Sequence, residues 1–261
     1  MATEYEPFKI LIDGGEGDIH QREYEQSAKW SLDLINHSKT GQALLKAIKG
    51  TGKWLTIEPW RKKEINAETR PNDWRAATAR GELRLDAKSG KPLTSGWWNK
   101  KTIEGTGEGS HTRILYAPTM FGFGGSSAAV FAPTLPGIDR TAVLVHEMAH
   151  AYRNMNGHSY LGPTMGGRAG YDNEEDFFAI VLTNIFVTDP TSAVQVRTLR
   201  ADHRGFAPLA AALSTSKGFL QDAANKGMLS RLFTQEPGLT NYLLGVNATF
   251  NPVKECFRPS P

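Results

Sequence analysis

Between Gln21 and His37 the apolar residues Tyr24, Ala28, Trp30, Leu32, Leu34 and Ile35 fall largely on one side of a 3.6-residue repeat, with charged residues in the gaps. That pattern predicts an amphipathic helix. A second helix is expected to start at the capping residue Thr40, run through Ala43 to Ile48 and stop at Gly50, completing an N-terminal helical hairpin. The period then drops to two: Lys53-Trp54-Leu55-Thr56-Ile57 alternates as a strand does, and Pro59 marks its end. From Arg61 to Gly109 neither period holds. Acidic, basic and glycine residues surround Trp74, Trp97 and Trp98, and the expectation is irregular loops and short strands with the tryptophans as core anchors.

Strand patterns return at 112–119 and 127–134, both closing on Ala-Pro-Thr and joined by Gly122-Phe123-Gly124-Gly125. The glycines read as a hairpin turn, because no Lys-Ser/Thr pair or following helix completes a phosphate loop. Asp139 is placed to cap a helix containing Thr141 to Arg153 that closes near Asn156-Gly157. A dense apolar helix from Asn173 to Phe186 opens with three acids, Glu174, Glu175 and Asp176. Helices are expected again over 206–213, 219–233 and 240–244, and an extended tail from Asn251 to Pro261, where three prolines fall. The element order reads as an α+β chain.

Composition narrows the picture more than it adds to it. The chain has 261 residues, 39% of them apolar and 22% charged, enough for one ordinary domain with a sizeable core. A net charge of +3 is too weak to indicate nucleic acid, which requires Lys and Arg gathered on one face. The apolar run Phe177 to Val187 is broken by Thr183 and Asn184 and is far short of the roughly 20 residues that cross a bilayer, so no membrane span is expected. Met1 to Pro7 lacks the basic and apolar regions of a signal peptide. The single cysteine, Cys256, excludes an intrachain disulfide and a Cys-based zinc cluster, so any metal must be held by His and carboxylates.

His146-Glu147-x-x-His150 supplies such a set. Four residues are slightly more than one helical turn, so both imidazoles project from one face and can grip one ion, typically Zn²⁺. Glu147 is then placed to take a proton from a metal-bound water. Apolar Val143, Leu144, Val145, Met148 and Ala149 flank the motif, and burying these polar groups without a ligand would be costly. A catalytic zinc needs a third protein ligand, for which the acids at 174–176 are the candidates. A hydrolysis that passes through an oxyanion also needs a group that stabilises it. His203, next to Asp202, and Tyr171, in the glycine-rich stretch between the two helices, are the candidates for that role. The loop from Asn156 to Asn173 is expected to form a mobile rim.

His146-Glu147-Met148-Ala149-His150-Ala151-Tyr152-Arg153, followed by Asn173-Glu174-Glu175-Asp176-Phe177-Phe178-Ala179, resembles the gluzincin group of zinc peptidases, and within it the NleD-type bacterial effector peptidases. The likeness is specific over 141–186, and Leu199-Arg200-x-Asp202-His203 extends it. It implies a zincin-like fold, with the active-site helix under a small mixed sheet and further helices at both ends. In such enzymes a carboxylate on the second helix is the third ligand. The spacing to the small residue Ala179, and the acid before Phe-Phe-Ala in anthrax lethal factor-like enzymes, select Asp176, although the usual residue is glutamate. Glu175 or Glu174 would serve if the helix were rotated.

The resemblance further implies one peptidase domain over 1–261: a helical hairpin and first strand over 1–60, a metal-binding core over 110–190, and C-terminal helices and tail over 191–261. It implies an effector or toxin made in a bacterial cytoplasm without a cleaved signal, then secreted or injected to cut a protein of a target cell. An extended substrate is expected to pair with the strand Ser127 to Ala132. A monomer, with a secretion chaperone or immunity protein as partner, completes the expectation. The rival readings are a zinc hydrolase of another bond, such as a cell-wall amidase or deformylase, and a non-catalytic interaction protein stabilised by zinc.

Overall fold

The computed structural model describes residues 2–15, 20–60, 67–84, 104–118, 139–162, 170–194, 198–202 and 207–258. Two short strands open the chain, β1 (Thr3–Tyr5) and β2 (Ile10–Ile12), paired antiparallel. At three residues each they are too short to display an alternation, and the apolar run Ile10-Leu11-Ile12 has none. The hairpin follows as α1 (Gln21–His37) and α2 (Lys39–Gly50), then β3 (Leu55–Pro59). Because β3 runs parallel to β2, the chain must cross over between them, and the helical hairpin makes that crossing.

The cap of α2 is Ser38 rather than Thr40. Ser38 has an extended backbone and its hydroxyl accepts from the Gly41 amide, whereas Thr40 lies inside the first turn. There its own amide and hydroxyl donate to Asp189 at 2.8 Å each, so a distant carboxylate satisfies a second free amide at the start of the helix. Within the stretch read as loops and short strands lie β4 (Ala67–Pro71) and the one-turn α3 (Trp74–Ala77). Trp74 is half-buried at the head of that turn rather than a core anchor.

The sheet closes with β5 (Thr112–Tyr116), parallel to β3 and antiparallel to β4, giving the order β1-β2-β3-β5-β4 in a mixed five-stranded sheet. The second strand of the expected hairpin, its glycine turn, the substrate-pairing strand Ser127 to Ala132, and Trp97 and Trp98 all lie outside the described residues.

Against the sheet packs α4 (Arg140–Asn156), which contacts both β4 and β5. Its ends are those expected. The Asp139 carboxylate accepts from the Thr141 and Ala142 amides, and Gly157 ends the helix in the left-handed region at φ 70°. Behind α4 lies α5 (Glu174–Val187), capped by Asn173, with all 14 residues buried. A helix apolar around its whole circumference is one that sits in a core.

The C-terminal part is more finely divided than the periodicity suggests. A 3₁₀ turn at Ala211–Leu213 precedes α6 (Ser216–Gln221) and α7 (Ala223–Thr234), separated by Asp222, whose carboxylate caps α7; then comes α8 (Pro237–Leu244). The tail is not extended throughout, because it forms α9 (Pro252–Phe257). Pro252 occupies the first helical position, where its missing N–H costs nothing, and the Asn251 side chain accepts from the Lys254 amide. One apolar cluster runs from Ile10 through Leu32, Ile57, Met148 and Phe178 to Phe233 and Val253, drawing on both ends of the chain.

Candidate active site

The histidines of α4 meet as the four-residue spacing requires. Their Nε2 atoms stand 3.2 Å apart, with the rings edge to face. His146 is buried and His150 is partly open. From the neighbouring helix α5 the Asp176 Oδ1 atom comes to 3.6 Å from His150 Nε2. One ligand atom from each of His146, His150 and Asp176 lies within 4.8 Å of the others. Two donors bound at about 2.0–2.1 Å to a tetrahedral ion stand about 3.3 Å apart, so the two measured separations bracket that value.

The three acids that open α5 diverge to three different partners. Glu174 pairs with Arg231 of α7, whose Nη1 donates to Oε2 at 2.6 Å. Glu175 pairs with Arg153 of α4 at 3.0 Å and also accepts from the Tyr160 amide at 2.8 Å. Only Asp176 turns to the histidines. Its second oxygen accepts from the Asn173 side chain at 2.7 Å, while Asn173 Oδ1 accepts from the Asp176 amide at 2.8 Å. The helix cap thus also orients the carboxylate, a reciprocal pairing of the first and fourth positions.

Glu147 faces the sheet. Thr69 of β4 donates to Glu147 Oε2 at 2.6 Å and lies 2.9 Å from the Glu147 backbone carbonyl. Burial pushes the Glu147 carboxyl up to about 7, against the Thr69 bond and the Arg200 charge, which lower it. Burial likewise raises Asp176 to about 7, helped by the charge of Asp172 and opposed by Arg200. Two histidines and the Asp176 carboxyl, converging in a buried place, suit a divalent cation, whose charge would favour the anionic form of that acid.

The family model of Peptidase_M91, described as effector protein, matches residues 16–184, nearly two thirds of the chain. The chain belongs to that family. It is therefore a peptidase of an effector family, as the likeness to NleD-type peptidases led us to expect. No curated protein and no solved structure gives a significant match.

Within the Peptidase_M91 match fall Thr69, His146, Glu147, His150, Arg153, Glu175 and Asp176. Of the other site candidates, Tyr171 is buried with its ring edge-on to Phe177 at 4.8 Å, and burial raises its hydroxyl pKa. His203 lies outside the described residues. The expected mobile rim is tied down at its near end, where His158 and Tyr160 bond to Glu236 and Glu175.

Arg200, beyond the family match, lies in the stretch Leu199-Arg200-x-Asp202-His203 that extends the likeness, and the sequence alone gives it no role. It is buried, and its charge acts on Asp176 and Glu147. Asn184 of α5 clasps its backbone from both sides: Nδ2 donates to the Arg200 carbonyl at 2.8 Å and Oδ1 accepts from the Arg200 amide at 3.0 Å. The signal was present, since Asn184, with Thr183, interrupts the apolar run Phe177 to Val187.

Proposed function

We propose that the chain is a zinc-dependent endopeptidase of zincin-like construction, with His146, His150 and Asp176 as the metal ligands and Glu147 as the general base. The observation that carries this reading is the convergence of the three donors within 4.8 Å, on two helices inside the region matched by an effector peptidase family. Zn²⁺ held by these residues would supply Lewis-acid polarisation of a peptide carbonyl and would lower the pKa of water to about 7.

Glu147 takes the proton of the attacking water and returns it to the leaving amide nitrogen. For that it must be anionic and fixed in direction, and the Thr69 hydroxyl serves both needs by donating to Oε2. Asp176 is aimed by Asn173. Among the described residues Arg200 is a buried cation whose charge favours the anionic forms of Glu147 and Asp176; its Nε donates to the Asp202 carbonyl, and its remaining donors are the ones we propose for stabilising charge on the substrate carbonyl oxygen. Tyr171, packed on Phe177, would need to leave the core to take that part. The substrate is a protein of a target cell, reached by secretion or injection. No helix among the described residues is long and apolar enough to cross a membrane.

The test exposes a target-cell proteome to the wild type and to Glu147→Gln and identifies new N-termini. The reading requires discrete cleavages by the wild type and none by the variant at equal zinc content. Release of peptidoglycan fragments without protein cleavage would reject it.

A further inference from the structure

One turn beyond the histidines, α4 carries a buried arginine that reaches two other elements. Arg153 follows His150 by three residues, and its partner Glu175 immediately precedes Asp176. Side-chain exposure is 1% for Arg153, 2% for Glu175 and 1% for Glu236. Arg153 Nε and Nη2 donate to Glu175 Oε1 at 3.2 and 3.0 Å. Nη1 donates to Gln235 Oε1 at 3.1 Å and Glu236 Oε1 at 2.9 Å, and Nη2 also donates to the His158 carbonyl. All five N–H groups of a guanidinium are accounted for by these bonds.

Glu236, at the head of α8, is equally occupied. Its Oε1 faces His158 Nδ1 at 2.9 Å and its Oε2 accepts from Asn156 Nδ2 at 2.9 Å. A carboxylate beside the C-terminal end of a helix is disfavoured by the helix dipole, so Glu236 is not there to stabilise α4 alone. Nor is a buried ion network a strong source of stability, because desolvation offsets most of the attraction. What such a network does supply is geometry. The planar fork of Arg153 accepts partners only along fixed directions, so it fixes α5 and the start of α8 against α4 in both rotation and translation.

We propose that Arg153 and Glu236 are positioning residues of the metal centre. The brace holds Asp176 of α5 in register with His146 and His150 of α4, and the segment beyond the family match completes the site through Glu236. The proposal rests on the zinc reading above. It is distinct from a general contribution to folding, for which α5 provides an internal comparison: the Glu174–Arg231 pair ties the same helix to α7 and leaves α4 untouched.

The test measures zinc affinity by chelator competition, the visible absorption of the Co²⁺-substituted protein, and Tm, for the wild type, Glu236→Gln and Arg231→Gln. The expected result for Glu236→Gln is a loss of zinc affinity of about tenfold and an altered Co²⁺ band. Arg231→Gln should lower Tm with zinc affinity and band unchanged. If Glu236→Gln does not fold, Asn156→Ala, which removes the bond to Oε2 together with a side-chain bond to Tyr152, should weaken zinc binding in the same direction. A folded Glu236→Gln with wild-type affinity, or an unchanged Asn156→Ala where that variant stands in, overturns the proposal alone, as does loss of affinity in proportion to Tm in both the glutamate and arginine variants. A wild type that binds no zinc overturns the zinc reading and the proposal together.

Discussion

Thr69 is a single hydroxyl on an edge strand, yet its 2.6 Å bond decides where the Glu147 carboxylate points. A hydrogen bond to a charged group contributes about 1.5–3 kcal/mol. Thr69→Val, which keeps the shape and loses the donor, is expected to lower kcat by about ten- to a hundredfold with zinc content unchanged, and Thr69→Ser to restore most of it. Steady-state kinetics alongside elemental analysis reads both.

Asp176 makes a second prediction at this scale. Its metal-free folded-state pKa, about 7, lies above the unfolded value of about 4, so the folded protein binds more protons than the unfolded chain between those limits. Its contribution to stability is present below pH 4 and is lost as pH rises through 7. The metal-free wild type should therefore lose more Tm between pH 4 and pH 8 than Asp176→Asn does, and zinc should recover most of the loss at pH 8. An equal slope in both proteins would remove Asp176 from the account.

The three acids also mark where sequence reasoning stops. Burial and spacing announced that Glu174, Glu175 and Asp176 were more than favourable charges at a helix start. Which of them faces the histidines depends on Arg231 and Arg153, and local pattern does not report a partner 57 residues away.

At the scale of elements, the boundaries that could be read were those written in local chemistry. Asp139 and Gly157 delimit α4 because a short carboxylate accepts free amides at one end and a glycine tolerates positive φ at the other. The strands β1 and β2 escaped notice because three residues carry no period, and α9 because its prolines resemble a tail until Asn251 is seen to cap it. The cap of α5 joins local structure to chemistry. Asn173→Ala should cost about 1 kcal/mol of stability and also weaken zinc binding, because Asp176 loses the donor at Oδ2. Asn173→Asp retains an acceptor for the Asp176 amide and places a like charge against that oxygen. It should spare Tm more than the alanine does while weakening zinc at least as much; thermal unfolding and zinc titration separate the two effects.

Across the whole molecule, the two helices bearing the candidate ligands are buried between a sheet built largely from the N-terminal part and helices that follow the family-matched region. Phe178 of α5 stacks on Phe233 of α7 at 4.7 Å, and Phe177 lies 6.0 Å from Phe219 of α6. The all-round apolar character of α5 forecast such cover without naming its source, because periodicity reports that a face is buried and not what buries it. Deletion of residues 188–261 would strip that cover and expose Phe177, Phe178 and Phe186, which are fully buried. The shortened chain is expected to lose cooperative thermal unfolding, although the whole of the family match would remain. Retention of a sharp transition would show that the C-terminal helices are dispensable to the core.

Zinc per chain, measured by elemental analysis after dialysis of the wild type, Asp176→Ala and Glu175→Ala, tests the central claim most directly. We predict one zinc in the wild type, close to none in Asp176→Ala, and in Glu175→Ala a zinc bound more weakly but still detectable. No zinc in the wild type, or full retention in Asp176→Ala with loss in Glu175→Ala, would contradict the site described here.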